Sequence, residues 1–287
     1  MPVTTTFTYE DITPVDISSN NSLASIAYTE QYKEAMGLFL AIYAQKEISE
    51  RALALTKECI ALNPAHYSVW DYRFDILQSL KQVEDQEWLD EVTIDNPKNY
   101  QVWNYRQNCL QLYVSESDIT CFVKNEMMVV GSVLEDDPKN FHAWSHLKWL
   151  TSQLEKNNIT LEDKNLFEFT TTLISEDVYN NSAWSFRYFM LNRDDQSQTV
   201  SDSELEFIIE KLRQAPDNEA TWNYLVAMVK DPAQISSICA EFNNARSIET
   251  LVTVSERDKS VELLDTLKVL EPHRTGLWNY KLSKLIA

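Results

Sequence analysis

Glycine is nearly missing from this chain. Only Gly37, Gly131 and Gly276 occur in 287 residues, where ordinary usage near 7% would place about twenty. A Gly-x-Gly-x-x-Gly dinucleotide loop and a phosphate-cradling P-loop both need closely spaced glycines, and these three stand far apart. Many-stranded sandwiches and barrels rely on glycine-bearing turns, so an all-β fold is disfavoured as well. Cysteine is sparse too: Cys59, Cys109, Cys121 and Cys239 are isolated, with no Cys-x-x-Cys pair. They read as small core residues of a reducing compartment, not as a disulfide framework. No run of about eighteen apolar residues exists to span a membrane. The start, Met-Pro-Val-Thr-Thr-Thr-Phe, lacks the basic and apolar regions of a secretory signal. The expectation is a cytoplasmic protein, in which the Asn-x-Ser/Thr triplets at Asn20, Asn158 and Asn180 are chance. Positive charge is also short, with 25 Lys and Arg against 44 Asp and Glu and a net charge of −19. Such a surface repels nucleic-acid backbones and anionic lipid at long range, so any anion site must be local and built from few residues.

What is present is helix-forming. Hydrophobic residues make up 44% of the chain, enough for a sizeable core. Proline is limited to eight residues, and Leu, Ala, Glu and Lys are abundant, which favours helices. Six of the eight tryptophans fall in one recurring phrase. Asn63-Pro-Ala-His-Tyr-Ser-Val-Trp70-Asp-Tyr-Arg73 is the first copy, and Asn96-Pro-Lys-Asn-Tyr-Gln-Val-Trp103-Asn-Tyr-Arg106 the second. Asp137-Pro-Lys-Asn-Phe-His-Ala-Trp144-Ser-His-Leu147 and Asp177-Val-Tyr-Asn-Asn-Ser-Ala-Trp184-Ser-Phe-Arg187 follow. Fainter copies end on Trp222 and Trp278. Five of the eight prolines stand six residues before a repeat tryptophan.

The intervals Trp70–Trp103–Trp144–Trp184–Trp222–Trp278 are 33, 41, 40, 38 and 56 residues, about right for two helices and two short connections. Leu205, Ile208, Ile209 and Leu212 recur at i, i+3, i+4, i+7, one face of a helix, and Leu263, Leu264, Leu267 and Leu270 do much the same. Proline disfavours helix in the residue before it, so the first helix of each pair ends near Asn/Asp-Pro and the second begins just after Pro-Lys-Asn. The predicted fold is all-α, a right-handed α-α superhelix in which stacked helical hairpins bury what one pair cannot. Residues 1–22, rich in Thr, Ser and Asn, read as a flexible tail, and 23–287 as a single solenoid domain. The long last interval, with Asp231-Pro-Ala-Gln and Asn243-Asn244, holds a decayed copy or an insertion.

The tryptophan ladder reads as core, since recurrence in every copy is what stacking requires. Arg73, Arg106 and Arg187 read as structural partners of carboxylates or helix C-termini in neighbouring copies. His142 and His146 are four apart, a spacing used by zinc ligands, but no Glu occupies the metalloprotease position between them. No Gly-x-Ser-x-Gly elbow occurs. What remains is the turn before each second helix. Lys98 and Lys139 precede a helix N-terminus, where free N–H groups and the dipole favour an anion. Asn99, Tyr100 and Gln101 follow the first, Asn140 and His142 the second. From the pattern alone, ordinary solvated loop residues are the favoured reading.

The phrase Pro-Lys-Asn-Tyr-Gln-Val-Trp-x-x-Arg and its recurrence resemble the repeats of protein prenyltransferase α-subunits. Tyr28-Thr-Glu-Gln-Tyr-Lys, Ser49-Glu-Arg-Ala-Leu, Asp90-Glu-Val-Thr and Asp177-Val-Tyr-Asn-Asn-Ser-Ala-Trp are similar to the α-subunits shared by farnesyltransferase and type I geranylgeranyltransferase. The resemblance is good over residues 25–230 and weak beyond. It implies a crescent of helical hairpins around a β-subunit, forming a heterodimer that is inactive without that partner. The β-subunit would hold the catalytic zinc and most of the isoprenoid pocket, and magnesium would accompany the diphosphate. The pair would move farnesyl or geranylgeranyl from its diphosphate to the cysteine of C-terminal Cys-a-a-X proteins such as small GTPases. By motif position, Lys98 would be the catalytic residue facing the diphosphate. Gln101 would bond the peptide carboxylate, and Tyr67, Tyr100, Asn140 and His142 would line the same cleft. This chain carries Phe141 where the family has Tyr, and Leu147 where the repeat has Arg. It lacks the proline-rich extension of animal members, which points to a fungal type.

Two other readings compete. A tetratricopeptide-like scaffold would have repeats near 34 residues, shorter than most intervals here. The α-subunit of Rab geranylgeranyltransferase shares the repeat but serves escort-bound substrates. Gln101 and the Ser49-Glu-Arg segment favour the Cys-a-a-X enzymes. The acidic surface would then steer basic stretches that precede the substrate cysteine.

Overall fold

The computed structural model describes residues 7–18, 26–113, 119–156, 163–192 and 200–286. Among them every regular element is helical, as the scarcity of glycine and the tryptophan spacing predict. The chain divides into two compact units, Met1–Gln153 and Leu154–Ala287. The first holds α1 (Glu30–Gln45), α2 (Glu50–Leu62), α3 (Tyr67–Leu80), α4 (Gln86–Asp95), α5 (Tyr100–Tyr113), α6 (Ile119–Asp136) and most of α7 (Phe141–Lys156). The second holds α8 (Asp163–Glu176), α9 (Asn181–Leu191), α10 (Asp202–Gln214), α11 (Glu219–Met228), α12 (Pro232–Cys239), α13 (Ala245–Val254), α14 (Arg257–Leu270) and α15 (Thr275–Ile286). Helices α2 to α15 follow one another as seven antiparallel pairs. Each repeat tryptophan lies in the first or second turn of a pair's second helix.

The six-residue span from proline to tryptophan has a direct cause. The indole Nε1–H folds back and donates to the carbonyl six residues earlier. Trp70 reaches Pro64 O at 2.8 Å, Trp103 reaches Pro97 O at 2.9 Å, and Trp144 reaches Pro138 O at 2.9 Å. In the second unit Trp184 reaches Val178 O at 2.9 Å and Trp222 reaches Pro216 O at 2.6 Å. A carbonyl at a helix entrance is thereby satisfied and the turn is fixed to the helix it opens. Asparagine completes the device. Asn140 caps α7 by accepting from Ala143 N at 3.0 Å, while its Nδ2–H donates to Pro97 O of the preceding copy at 3.2 Å. Asn218 does the same with Ala220 N at 3.1 Å and Val178 O at 2.6 Å.

A second set of links runs through the core. Arg73 forms a two-pronged pair with Glu84, Nε at 2.7 Å and Nη2 at 2.6 Å, and Tyr105 of the next copy donates to the same carboxylate. Arg106 grips Glu126 at 2.7 and 2.6 Å, and His146 Nε2 meets it at 2.7 Å. In the second unit Arg187 grips Glu204 at 2.8 and 2.7 Å, and Tyr224 donates to it at 2.7 Å. The arginines thus meet buried carboxylates, as the recurrence of Arg in the phrase implies. Where Leu147 replaces Arg, the position is apolar and fully buried.

The stretch 231–260 resolves into a worn copy of the repeat. Helices α12 and α13 form a pair whose phrase has Phe242 for proline and Ile248 for tryptophan. Ser247 Oγ–H takes over the indole's task, donating to Phe242 O at 3.1 Å, and Asn244 Nδ2–H still donates to Pro216 O at 2.7 Å. Ahead of α15, Pro272–Arg274 is a 3₁₀ turn whose Pro272 carbonyl is taken by Thr275 Oγ1 at 2.7 Å. Trp278, fully buried, is left with an indole N–H that has no partner.

Part of the stretch expected as a loose tail is anchored. Ile12 is buried, and Tyr9 Oη–H donates to Arg51 O at 2.9 Å. Arg51 holds Asp11 through two nitrogens at 2.6 and 2.9 Å, and Val15 N–H donates to Gly37 O at 3.0 Å. A Cβ on Gly37 would stand 2.7 Å from Val15 O, so glycine is what lets this strand of chain lie on α1. A Thr- and Ser-rich composition masks one apolar anchor and one arginine clamp. The remaining tail residues, with Asn20 and Asn158, lie outside those described.

Candidate functional site

The turn from Asn96 to Asn99 joins α4 to α5. Asn96 Nδ2–H donates to Val92 O at 3.0 Å, and Asn99 N–H donates to Asn96 O at 3.0 Å. Asn99 Oδ1 accepts from Gln101 N–H at 2.9 Å. Its Pro97 carbonyl is held twice, by Trp103 of its own copy and by Asn140 of the next. The backbone is therefore fixed on every side while the Lys98 side chain extends outward, 76% exposed. Its ammonium pairs with Asp137 Oδ2 at 3.1 Å. An open depression of about 490 Å³ surrounds it, lined by Ala65, Asp95, Lys98, Tyr100 and Gln101 among others.

Aromatic rings flank the lysine. Tyr67, Tyr100 and Phe141 are the first residues of α3, α5 and α7, and each is 67% exposed. The edge of His142 meets Tyr100, ring centres 4.2 Å apart, and burial holds the His142 imidazole below its ordinary value. Hydrogen-bond donors here come from a lysine, a tyrosine, a glutamine and a helix N-terminus, a set suited to oxyanions.

The structure brings Lys98, Tyr100 and Gln101 into one depression and sets His142 against it. Tyr67 takes the equivalent place on the preceding copy. Asn140 stands apart: it is 2% exposed, and both amide atoms are occupied by the cap of α7 and by Pro97 O. Its contribution to this surface is to hold the lysine turn from beneath. Asp137 escapes a sequence reading because it looks like one more helix-ending residue before proline. The available signal is that the two preceding copies have Asn63 and Asn96 there.

His142 and His146 do not converge on a metal. His146 is fully buried against Glu126, while His142 lies at the surface against Tyr100. Among the described residues no group of three His, Cys, Asp or Glu side chains is placed to hold a metal ion. Cys59 and Cys109 are buried, their thiols pushed up to about 12, and Cys239 to about 11, which makes them poor nucleophiles. No described helix is long and apolar enough to cross a membrane.

Fold and site together define an α-helical repeat protein that presents a lysine and hydrogen-bond donors from one rigid turn. The chain belongs to the protein prenyltransferase α-subunit family. The family's α-subunit repeat matches residues 49–80, 84–113, 123–154 and 163–194, the pairs α2–α3 to α8–α9. The chain is 34% identical over 302 residues to the Candida albicans protein farnesyltransferase/geranylgeranyltransferase type-1 subunit alpha, covering 97% of each chain. It is 30% identical over 324 residues to the Pisum sativum protein of the same name, covering 96% of this chain and 93% of that one. Its structure is similar to Candida albicans protein geranylgeranyltransferase-I complexed with GGPP, with a TM-score of 0.84, 33% identity, and coverage of 98% and 99%.

Proposed function

We propose that this chain is the α-subunit of a heterodimeric protein prenyltransferase of the farnesyltransferase/geranylgeranyltransferase type I kind. Its partner is a β-subunit, and its substrates are an isoprenoid diphosphate and a protein ending in Cys-a-a-X. The cysteine sulfur attacks the first isoprenoid carbon, a carbon–sulfur bond forms, the carbon–oxygen bond breaks, and diphosphate leaves. The observation that carries the reading is the outward-facing Lys98 on a turn whose Pro97 carbonyl oxygen accepts from both Trp103 and Asn140. As the carbon–oxygen bond opens, negative charge gathers on the leaving diphosphate, so a placed ammonium helps most in the transition state. Gln101 is assigned to the peptide carboxylate, and Tyr67, Tyr100 and His142 to the walls of the shared cleft. Asn140 serves them by fixing the turn. Zinc in the β-subunit, magnesium with the diphosphate, a cytoplasmic location and one continuous solenoid over 23–287 go with this reading. Among the described residues of this chain none are grouped to hold zinc.

The test is co-expression with a candidate β-subunit, followed by single-turnover transfer to a Cys-a-a-X peptide. Lys98→Ala is expected to lower the rate constant at least about tenfold with little change in isoprenoid affinity, the signature of a contact made only in the transition state. A silent Lys98→Ala in an active pair would overturn the site assignment. A pair that accepts only escort-bound Rab proteins would transfer the chain to the type II enzymes.

A further inference from the structure

One contact at the lysine turn has no counterpart in the preceding copy. The turn position of Lys98 is Ala65 in the first copy, and the helix-ending position of Asp137 is Asn96 in the second. Between the second and third turns of the first unit an ammonium faces a carboxylate from the next copy, Lys98 Nζ to Asp137 Oδ2 at 3.1 Å. Asp137 is itself well fixed. Its N–H donates to Val133 O at 3.0 Å, its O accepts from Asn140 N at 2.9 Å, and its Oδ1 accepts from Lys139 N at 3.3 Å. The lysine end is the reverse: an anchored backbone with a side chain 76% in solvent. One partner is rigid, the other swings, and the bond between them is weak enough to exchange for another anion.

We infer that Asp137 is a positioning residue: it holds the Lys98 ammonium away from the bound isoprenoid diphosphate and releases it as charge builds on the leaving group. This rests on the assignment of Lys98 to the diphosphate. The physical logic is differential binding. A lysine free to pair with the ground-state diphosphate would tighten substrate binding and lower the barrier less, because the same energy would already be realised before reaction. A carboxylate of matching strength beside it keeps that energy in reserve. The leaving diphosphate, carrying more charge than the ester it came from, outcompetes Asp137 only when the carbon–oxygen bond is breaking.

Asp137→Asn is the informative variant, because an asparagine Oδ1 still accepts from Lys139 N and preserves the turn while its charge is lost. Farnesyl diphosphate binding is measured on the heterodimer with a farnesyltransferase-type β-subunit, for wild type, Asp137→Asn, Lys98→Ala and the double variant. Asp137→Asn is expected to tighten binding about two- to fivefold, the range open to an exposed ion pair, without raising the single-turnover rate constant. In the Lys98→Ala background the gain should vanish, a non-additivity that a merely structural aspartate would not produce. An unchanged affinity in Asp137→Asn overturns the inference. So does a gain of equal size without Lys98, which would reduce Asp137 to one more negative charge near an anion. A slow Lys98→Ala enzyme combined with either of these results leaves the lysine assignment standing and removes only Asp137. A Lys98-dependent gain alongside a catalytically silent Lys98→Ala would show pairing in the ground state only and overturns both the lysine assignment and the role of Asp137.

Discussion

Glu126 lies fully buried between the second and third copies and serves two partners at once, the Arg106 guanidinium and the His146 ring. Burial works against its charge, yet Arg106 and His146 outweigh it and hold the carboxyl at about 2, below its ordinary 4.5. A carboxyl with a depressed folded-state value contributes stability that is complete above its unfolded value. That contribution drains away as pH falls from about 4.5 toward 2. Glu126→Gln should cost about 1–3 kcal/mol at neutral pH, since Arg106 loses its two-pronged carboxylate and keeps only Asp90 Oδ1 at 2.7 Å. It should also flatten the loss of stability over that acid window. Urea unfolding followed by tryptophan fluorescence at pH 7 and pH 3 checks both parts. At this scale the sequence is informative about one end of each link only. The arginines are visible because they recur at a fixed offset from tryptophan. Their acids lie 11, 20 and 17 residues on, at Glu84, Glu126 and Glu204, and no periodicity exposes a partner at a wandering distance. Lys98 stands out by its motif position in the resemblance, since Lys139 holds the same place in the next copy and the pattern alone does not separate the two.

Helix ends were the easiest elements to read, because proline acts on its neighbour whatever the tertiary context. α4 stops at Asp95 just before Asn96-Pro97, and α5 starts at Tyr100, where the phrase places it. The pair α12–α13 is legible only as a decayed copy or an insertion, since Ile248 and Phe242 replace both markers. Two first-unit helices end on a feature that propensity alone would not select. Lys46 after α1 and Lys81 after α3 adopt left-handed backbone, φ 55° and 56°. In each, the cap N–H reaches back to helix carbonyls, a closure that glycine makes without steric cost. Lys81→Gly is expected to stabilise the chain by about 0.5–1 kcal/mol, raising the thermal midpoint in calorimetry. Lys81→Val, β-branched and poorly suited to positive φ, should lower it.

Across the whole molecule the dominant quantity is the net charge of −19. Lys98 sits inside that field with Asp95 and Asp137 beside it, so an anion placed there by the proposed function would be held by short-range contacts. Basic peptides experience the opposite, a long-range pull that salt screens over about 8–10 Å. For the heterodimer, kcat/KM toward a Cys-a-a-X peptide with a lysine-rich stretch should fall several-fold from low to physiological ionic strength. An uncharged peptide should change little. Equal salt responses for the two would mean that the acidic surface plays no part in capture. The spacing of the tryptophans bears on a different question. From Trp70 to Trp222 successive repeat tryptophans are separated by 33 to 41 residues, yet each of these indoles reaches back six. The gauge of the track is fixed while the distance between stations is free. A lineage could lengthen or trim the strips between copies without disturbing one rung. A single residue added within a turn would pull the indole off its carbonyl and unfasten two neighbours together.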